Sequence, residues 1–497
     1  MKNEKVRSND NVDWRYLSWD AVDEPEATLM RSFGTGSRHT LTGPGLTKPT
    51  LWSRRYKSYL DFLGLVANFS TTYAGGSYTS AVDPMANYWR VSNVAILVGV
   101  TVYTVAFGLA PMVLAPFSEI NVTQLYVGML LARVLVGIAS STFAVVIVGI
   151  VADIHTEERD RYRALSLFTT GAMFGTGFGP LVSAFIVQNT HWRWLFGVLG
   201  MFCLVMVAVI IVTFRETRDS VILSWKAQAL NRRQEGLDSD SAEQGTAVKR
   251  ESTQIRWKVE ADEERQSIVQ VIGISVQRPM HLLLTEPVVF WFSCWGAFAW
   301  SIMYAMLIVV PYTFQTVYGF DFQTSSAVFA AMCVATLLMA LISRHHDRLA
   351  EFFVAREKLD SPEGMLYPVA VEAVLLPIGL FWYGWGTQTS AHWIVPTLGL
   401  GCATMGMFSV YLAVFAYLAT AYKEYSSSAN AAQSMFRMLL GGAFPLFAQA
   451  MVQRLGFGGA FSLLGGIGVV LTFVPWVLIW FGPRIRARSK IAYNDKS

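Results

Sequence analysis

Apolar residues gather into long unbroken stretches separated by short polar connectors, at 59–81, 93–116, 124–151, 164–187, 194–214, 287–310, 324–343, 367–386, 392–419, 430–452 and 459–481. None shows the strict alternation of a half-buried strand. Each has the length of about 20 residues that a helix needs to cross a hydrocarbon core about 30 Å thick. Trp52, Tyr56, Trp89, Trp192, Trp194, Trp291, Trp393 and Trp480 fall near the ends of these stretches, where amphipathic rings settle at a bilayer interface. The pattern predicts an all-α, polytopic membrane protein.

Two polar stretches interrupt it. Residues 1–55 mix acidic and basic side chains and are expected to form a disordered cytoplasmic tail. Residues 215–284 carry eleven Lys or Arg and eleven Asp or Glu, and their segment RRQEGLDSDSAEQGTAVKRE has the low hydrophobicity of a flexible cytoplasmic loop. The expected organisation is therefore a first helix bundle over 56–214, the central loop, a second six-helix bundle over 285–482 and a cytoplasmic tail over 483–497, two related halves in one chain.

Charge sets the orientation and exposes a conflict. Arg54, Arg55 and Lys57 precede the first span, GPRIRARSK follows the last, and Arg159, Arg161 and Arg163 crowd the connector at 155–165. All belong on the cytoplasmic side. Eleven crossings cannot leave both termini on one side, and parity places the missing crossing between 116 and 155. The only polar link there is Ser118 to Thr123, which reaches at most about 20 Å and cannot span about 30 Å.

Composition agrees with the pattern. Of 497 residues 53% are hydrophobic and 15% charged, against about 25% charged in soluble chains. The net charge of +4 gives no support to nucleic-acid binding. Cys203, Cys294, Cys333 and Cys402 lie inside apolar runs without metal-ligand spacing. No phosphate-binding loop, catalytic triad, metal cluster or haem signature stands out, so neither an enzyme nor an ATP-driven pump is expected, and no cofactor.

Several stretches resemble the major facilitator superfamily, most closely its fungal twelve-span drug:proton antiporter branch of multidrug, polyamine and toxin exporters. LARVLVGIASS (131–141) looks like the fourth-span motif with a buried arginine. GAMFGTGFGPLVSAF (171–185) looks like the fifth-span antiporter motif. ADIHTEERDRYRALSLF (152–168) and HWRWLFGVLG (191–200) resemble the connectors around that span. EGMLYPVAVEAVLLPIGLFWYGWGTQTSAHWIVP (363–396), FRMLLGGAFPLFAQAM (436–451) and the pre-membrane SWDAVDEPE (18–26) are close to the usual text of the branch. The resemblance implies a major-facilitator-type two-bundle fold, with about 11 helices present of an expected 12. The departure falls at the parity conflict: family members read Gly-Arg-Arg after the acidic residue of span two and then a third span, whereas APFSE here runs straight into INVTQLYVG. The preferred reading is a missing exon; true loss of the span is the alternative. Asn121, in the sequon Asn-Val-Thr, then suits an outer turn open to glycosylation.

Candidate transport residues follow. A charge deep in a span is expensive and functional by default, which singles out Arg133; a tie to backbone carbonyls is the alternative. Arg437 is also intramembrane, with snorkelling to the interface as its alternative. The resemblance places Glu119 in an inward-gate latch whose arginine partners are absent here. Asp153 is expected in the same cytoplasmic charge network. Glu372 is a carboxylate that desolvation could fit for proton coupling. Gly171, Gly175, Gly179 and Pro180 form a smooth helical stripe, read through the resemblance as a seal between halves that limits proton leak. Tyr78, Tyr103, Tyr304, Tyr411, Asn430 and Gln433 are expected to line a cavity suited to amphipathic, planar or cationic molecules.

The expected function is secondary active export of a small organic molecule, a drug, polyamine or secondary-metabolite toxin, by proton antiport and alternating access. Uptake or facilitated diffusion of a nutrient, and a variant that does not transport, stand as alternatives. The expected setting is a monomer in the lipid bilayer of the plasma membrane, with the vacuolar membrane as the alternative.

Overall fold

In the computed structural model the chain is described over residues 12–17, 48–113, 126–155, 157–243, 254–259, 268–345, 363–364, 366–388, 390–422 and 425–488. Glu119, Asn121, the 18–26 motif and the 118–123 link lie outside these residues.

Over the described residues, each expected span falls mainly on helix. α1 (Arg54–Ser77) continues through a 3-10 turn (Tyr78–Ala81) into α2 (Val82–Trp89), and Arg90 closes it in the left-handed region at φ 56°. α3 (Asn93–Val113), α4 (Tyr126–Ile154), α5 (Glu158–Asn189) and α6 (Arg193–Thr213) complete the first half. Beyond the central loop, which contributes α7 (Asp219–Glu243), come α8 (Ile268–Thr285) and α9 (Pro287–Tyr318). Pro287 opens α9, where a missing N–H costs nothing; Gly319, at φ 67°, ends it. α10 (Phe322–Ala327) starts on Asp321, whose carboxylate accepts from the Thr324 amide, and leads into α11 (Ala330–Ser343). α12 (Leu366–Glu372), α13 (Leu375–Gly386), α14 (Ile394–Ala421) and α15 (Ser426–Arg488) follow; α15 breaks at Gly456 (φ 71°, ψ 166°), which separates the last two expected spans. Among the described residues, seven helices are long and apolar enough to cross a membrane.

The described chain divides into two compact units. The smaller draws on Met1–Tyr59, Ile150–Thr156 and Ile211–Val271. In it β1 (Val12–Tyr16) pairs in parallel with β2 (Gln254–Lys258). Asn231 of α7 holds β2: its side-chain N–H donates to the Trp257 carbonyl at 2.7 Å, and its oxygen accepts from the Trp257 amide at 2.8 Å. Leu17, Leu223, Ala227, Leu230 and Val259 form a small apolar core beneath. The expectation of an unstructured tail and loop is thus corrected at Val12–Leu17, Asp219–Glu243 and Gln254–Val259. The charge density of the loop obscured three apolar positions on one face of α7, Leu223, Ala227 and Leu230, which are enough to hold two short strands.

The larger unit contains the described transport candidates other than Asp153. Its first-half packing turns on the glycine stripe. A Cβ at Gly171 would lie 2.4 Å from the Leu65 carbonyl oxygen, at Gly175 2.6 Å from that of Phe69, and at Gly179 3.1 Å from that of Tyr73. Both helices advance four residues per contact, so α5 lies parallel on α1 with backbone against backbone. The stripe therefore seals α5 to α1 within one half, and the expected seal between halves is corrected: small residues face the nearest helix, and that helix is α1. The neighbouring Gly177 instead meets second-half residues, with Met332 Cβ 3.0 Å from its Cβ position. Pro180 has no N–H for the Thr176 carbonyl; that oxygen lies where a Cβ on Gly76 would come within 2.7 Å.

The halves also meet through α3 and α15, where Thr101 Oγ1 donates to the Gly442 carbonyl at 2.7 Å, and through α5 and α11, where the Ser166 and Ser343 hydroxyls are 2.5 Å apart.

Candidate functional site

Two buried guanidiniums organise the centre of the larger unit. Arg133, on α4, is 4% exposed. Its Nη1 donates to the Ala74 carbonyl of α1 at 3.1 Å, and its guanidinium carbon stands 3.7 Å from the Tyr78 ring centroid, 5.6 Å from Tyr103 and 5.7 Å from Phe196. The rings are held in turn: Tyr78 donates to the Ile96 carbonyl at 2.9 Å, Tyr103 to that of Thr71 at 2.7 Å. Among the described residues, Arg133 Nε and Nη2 are buried without a hydrogen-bond partner.

Arg437, on α15, is 2% exposed and does not reach for the interface. Its guanidinium lies 4.5 Å from the Trp300 ring centroid, 4.6 Å from Tyr411 and 5.4 Å from Phe415. Trp300 and Tyr411 stack at 5.1 Å with planes 21° apart. Among the described residues, Arg437 Nε and Nη1 have no partner, and neither do Asn430 Oδ1 and Gln433 Oε1, seven and four residues earlier. Among the described residues no carboxylate forms an ion pair with either arginine.

Tyr304 joins the two groups. Its ring sits 5.9 Å from Trp300, and its hydroxyl lies 2.9 Å from where a Cβ would stand on Gly75. The absence of a side chain at Gly75 thus lets a second-half phenol reach α1. The expected cavity residues Tyr78, Tyr103, Tyr304, Tyr411, Asn430 and Gln433 are all buried around these two arginines.

The remaining candidates lie elsewhere. Glu372 ends α12 and accepts from the Ser409 hydroxyl at 2.8 Å. Asp153, at the end of α4 in the smaller unit, is half-buried. Burial lifts its carboxyl to about 6, with Asp219 and Glu216 pushing the same way and Arg218 opposing. Its electrostatic neighbours are thus the residues after α6, where the sequence had suggested the 155–165 connector. Gly171, Gly175, Gly179 and Pro180 serve the α5–α1 contact described above, and Pro180 also borders a recess of about 160 Å³. Ser80, Asp83, Asn93, Gln315, Ser326 and Gln449 give that recess its polar wall; the aromatic residues expected to line a cavity are not part of it.

Sequence reasoning missed a second buried ionic group. Arg486 Nε donates to Glu363 Oε1 and Nη2 to Oε2, both at 2.8 Å, and Tyr417 adds a 3.4 Å hydrogen bond to Oε1. Tyr422 donates to Glu286 at 3.1 Å, and burial and that carboxylate raise its phenol above the usual range. Arg486 had been read only as one positive charge of the C-terminal tail.

Comparison with known proteins follows the same lines. The sequence profile of the Major Facilitator Superfamily matches residues 69–445. The chain is 30% identical over 473 aligned positions to "MFS transporter cpaT" of Aspergillus oryzae, covering 89% of this chain and 90% of that one. It is 27% identical to "Probable drug/proton antiporter YHK8" of Saccharomyces cerevisiae, covering 89% and 87%. Among solved structures, the proton:xylose symporter XylE superposes with a TM-score of 0.54 at 14% identity, over 86% of this chain and 97% of that one.

Proposed function

The chain belongs to the Major Facilitator Superfamily, and from that premise we propose that it exports small organic molecules in exchange for protons, by alternating access of a central site. It is a multi-pass membrane protein with an all-α major-facilitator fold and a secondary transporter, not an enzyme.

One observation carries the proposal beyond family membership: two buried, aromatic-walled arginines, one from each half, with Tyr304 of the second half reaching from Trp300 to Gly75 of the first. A site shared between halves is remade whenever they rock against each other, which is what alternating access requires. The printed name of the yeast relative, a drug/proton antiporter, supports a proton-driven exporter of drug-like molecules. In this reading bundles over 56–214 and 285–482 move about the site, joined by the 215–284 loop, in a monomer of the plasma membrane. Arg133 takes part in proton coupling, and the α5–α1 seal keeps the first half rigid. The parity of the basic connectors supports one span missing between 116 and 155.

Reconstituted vesicles with an acidic lumen test it. The expected result is uphill uptake of a fluorescent drug-like probe that collapses when nigericin removes the pH gradient. Uptake that only equilibrates, at the same rate with and without the gradient, would replace antiport by facilitated diffusion.

A further inference from the structure

We infer that the central site selects an organic anion, a planar aromatic carboxylate, over the cationic molecules that its ring of aromatics first suggests. This deepens the transporter reading and rests on it.

Arginine stays protonated at any pH a protein meets, so the two guanidiniums bring two positive charges that proton loss cannot remove. Each is more than nine-tenths buried, and among the described residues neither is joined to a carboxylate. The rings of Tyr78, Trp300 and Tyr411 offset part of that burial by cation–π attraction. Among the described residues, four N–H-bearing nitrogens have no hydrogen-bond partner: Nε and Nη2 of Arg133, Nε and Nη1 of Arg437. A buried, unpartnered charged donor is costly and is relieved best by an anion that accepts from it. A carboxylate matches the adjacent nitrogens of a guanidinium fork. A cation entering the same place would meet two like charges in a low-dielectric setting.

The walls define the rest of the ligand. Trp300 and Tyr411 present stacked faces beside Arg437, which suits a flat ring. The unpartnered oxygens of Asn430 and Gln433 add acceptors for a hydroxyl or N–H on that ring. Tyr304, 5.9 Å from Trp300 and with its hydroxyl against Gly75 of α1, places the site between the halves, where their separation in the transport cycle admits a molecule to groups that are buried in this state.

The test uses the full chain in lipid nanodiscs and three probes with one ring system and three charges: 2-naphthoate, 2-naphthamide and 2-naphthylmethylammonium. Equilibrium binding of naphthoate at least about tenfold tighter than either other probe is expected, the scale of one charge-assisted hydrogen bond. R437K should keep the order of preference, and R437Q should reduce it to within about twofold. The unmodified chain alone decides the matter if the variants fold poorly. Ammonium binding as tight as naphthoate, full discrimination retained by a folded R437Q, or no naphthoate binding up to about 1 mM would each overturn the inference. Binding needs no gradient, so anion preference without any gradient-driven uptake would sink the exporter reading alone; gradient-driven uptake of the ammonium probe with naphthoate ignored would sink the anion alone.

Discussion

Glu363 and Arg486 face each other fork to fork, two 2.8 Å hydrogen bonds tying the connector before α12 to the end of α15. Both side chains are buried. Removing one partner of such a pair strands the other, at about 3–5 kcal/mol. Glu363→Gln should therefore lower the melting temperature of the detergent-solubilised protein sharply. Glu363→Leu combined with Arg486→Leu should recover at least half of the loss, because an apolar pair leaves no charge behind. A single variant as stable as the parent would show that the pair contributes nothing.

The α5–α1 contact is a second place where one atom matters. A methyl at Gly175 would stand 2.4 Å from Thr72 Oγ1 and 2.6 Å from the Phe69 carbonyl. Backbone cannot step aside as a flexible side chain can. Gly175→Ala should cost about 1–3 kcal/mol, the range for overpacking. Gly200→Ala, on α6 with nothing within 4 Å, should be neutral or slightly stabilising through helix propensity. Thermal melts of the two variants side by side decide it, and equal effects would remove the packing explanation.

Asp153 gives a pH dependence with a definite sign. Its carboxyl is raised to about 6 in the folded chain, against about 3.9 unfolded. Between those values the folded state binds more protons, so this group lowers stability as pH rises through the window, and the loss is complete above about 6. Asp153→Asn should melt higher than the parent at pH about 7.5 and lose that advantage as pH falls toward about 4. An advantage that grows on acidification would contradict the assignment.

The helices were legible because long apolar runs are an unmistakable signal. Arg133 and Arg437 were legible for the same reason: a charge inside an apolar run has few explanations. Their grouping was not. Nothing in the spacing of Tyr304 and Arg437, more than a hundred residues apart, says that Gly75 leaves room for the phenol to reach between the halves. The direction of the glycine stripe was also hidden, since periodicity shows that a smooth face exists and not which helix covers it. Glu363 and Arg486 escaped because interfacial charges abound at span ends, and only the fold pairs two of them out of water.

Charge bookkeeping then separates an anion exporter from a cation exporter by a measurement that needs no structure. Exchange of one inward proton for one outward monocation moves no net charge. Exchange of one inward proton for one outward monoanion moves two positive charges inward, and each is worth about 2.3 kcal/mol per 100 mV of membrane potential. With pH equal on both sides, a potassium gradient and valinomycin can set the potential of reconstituted vesicles alone. Vesicles made positive inside should then accumulate 2-naphthoate through right-side-out and inverted copies alike, because the driving force follows the charge moved and not the orientation. Arg437→Gln should abolish the response. Accumulation indifferent to the potential, in vesicles that still respond to a pH gradient, would mean that the arginines carry no anion across.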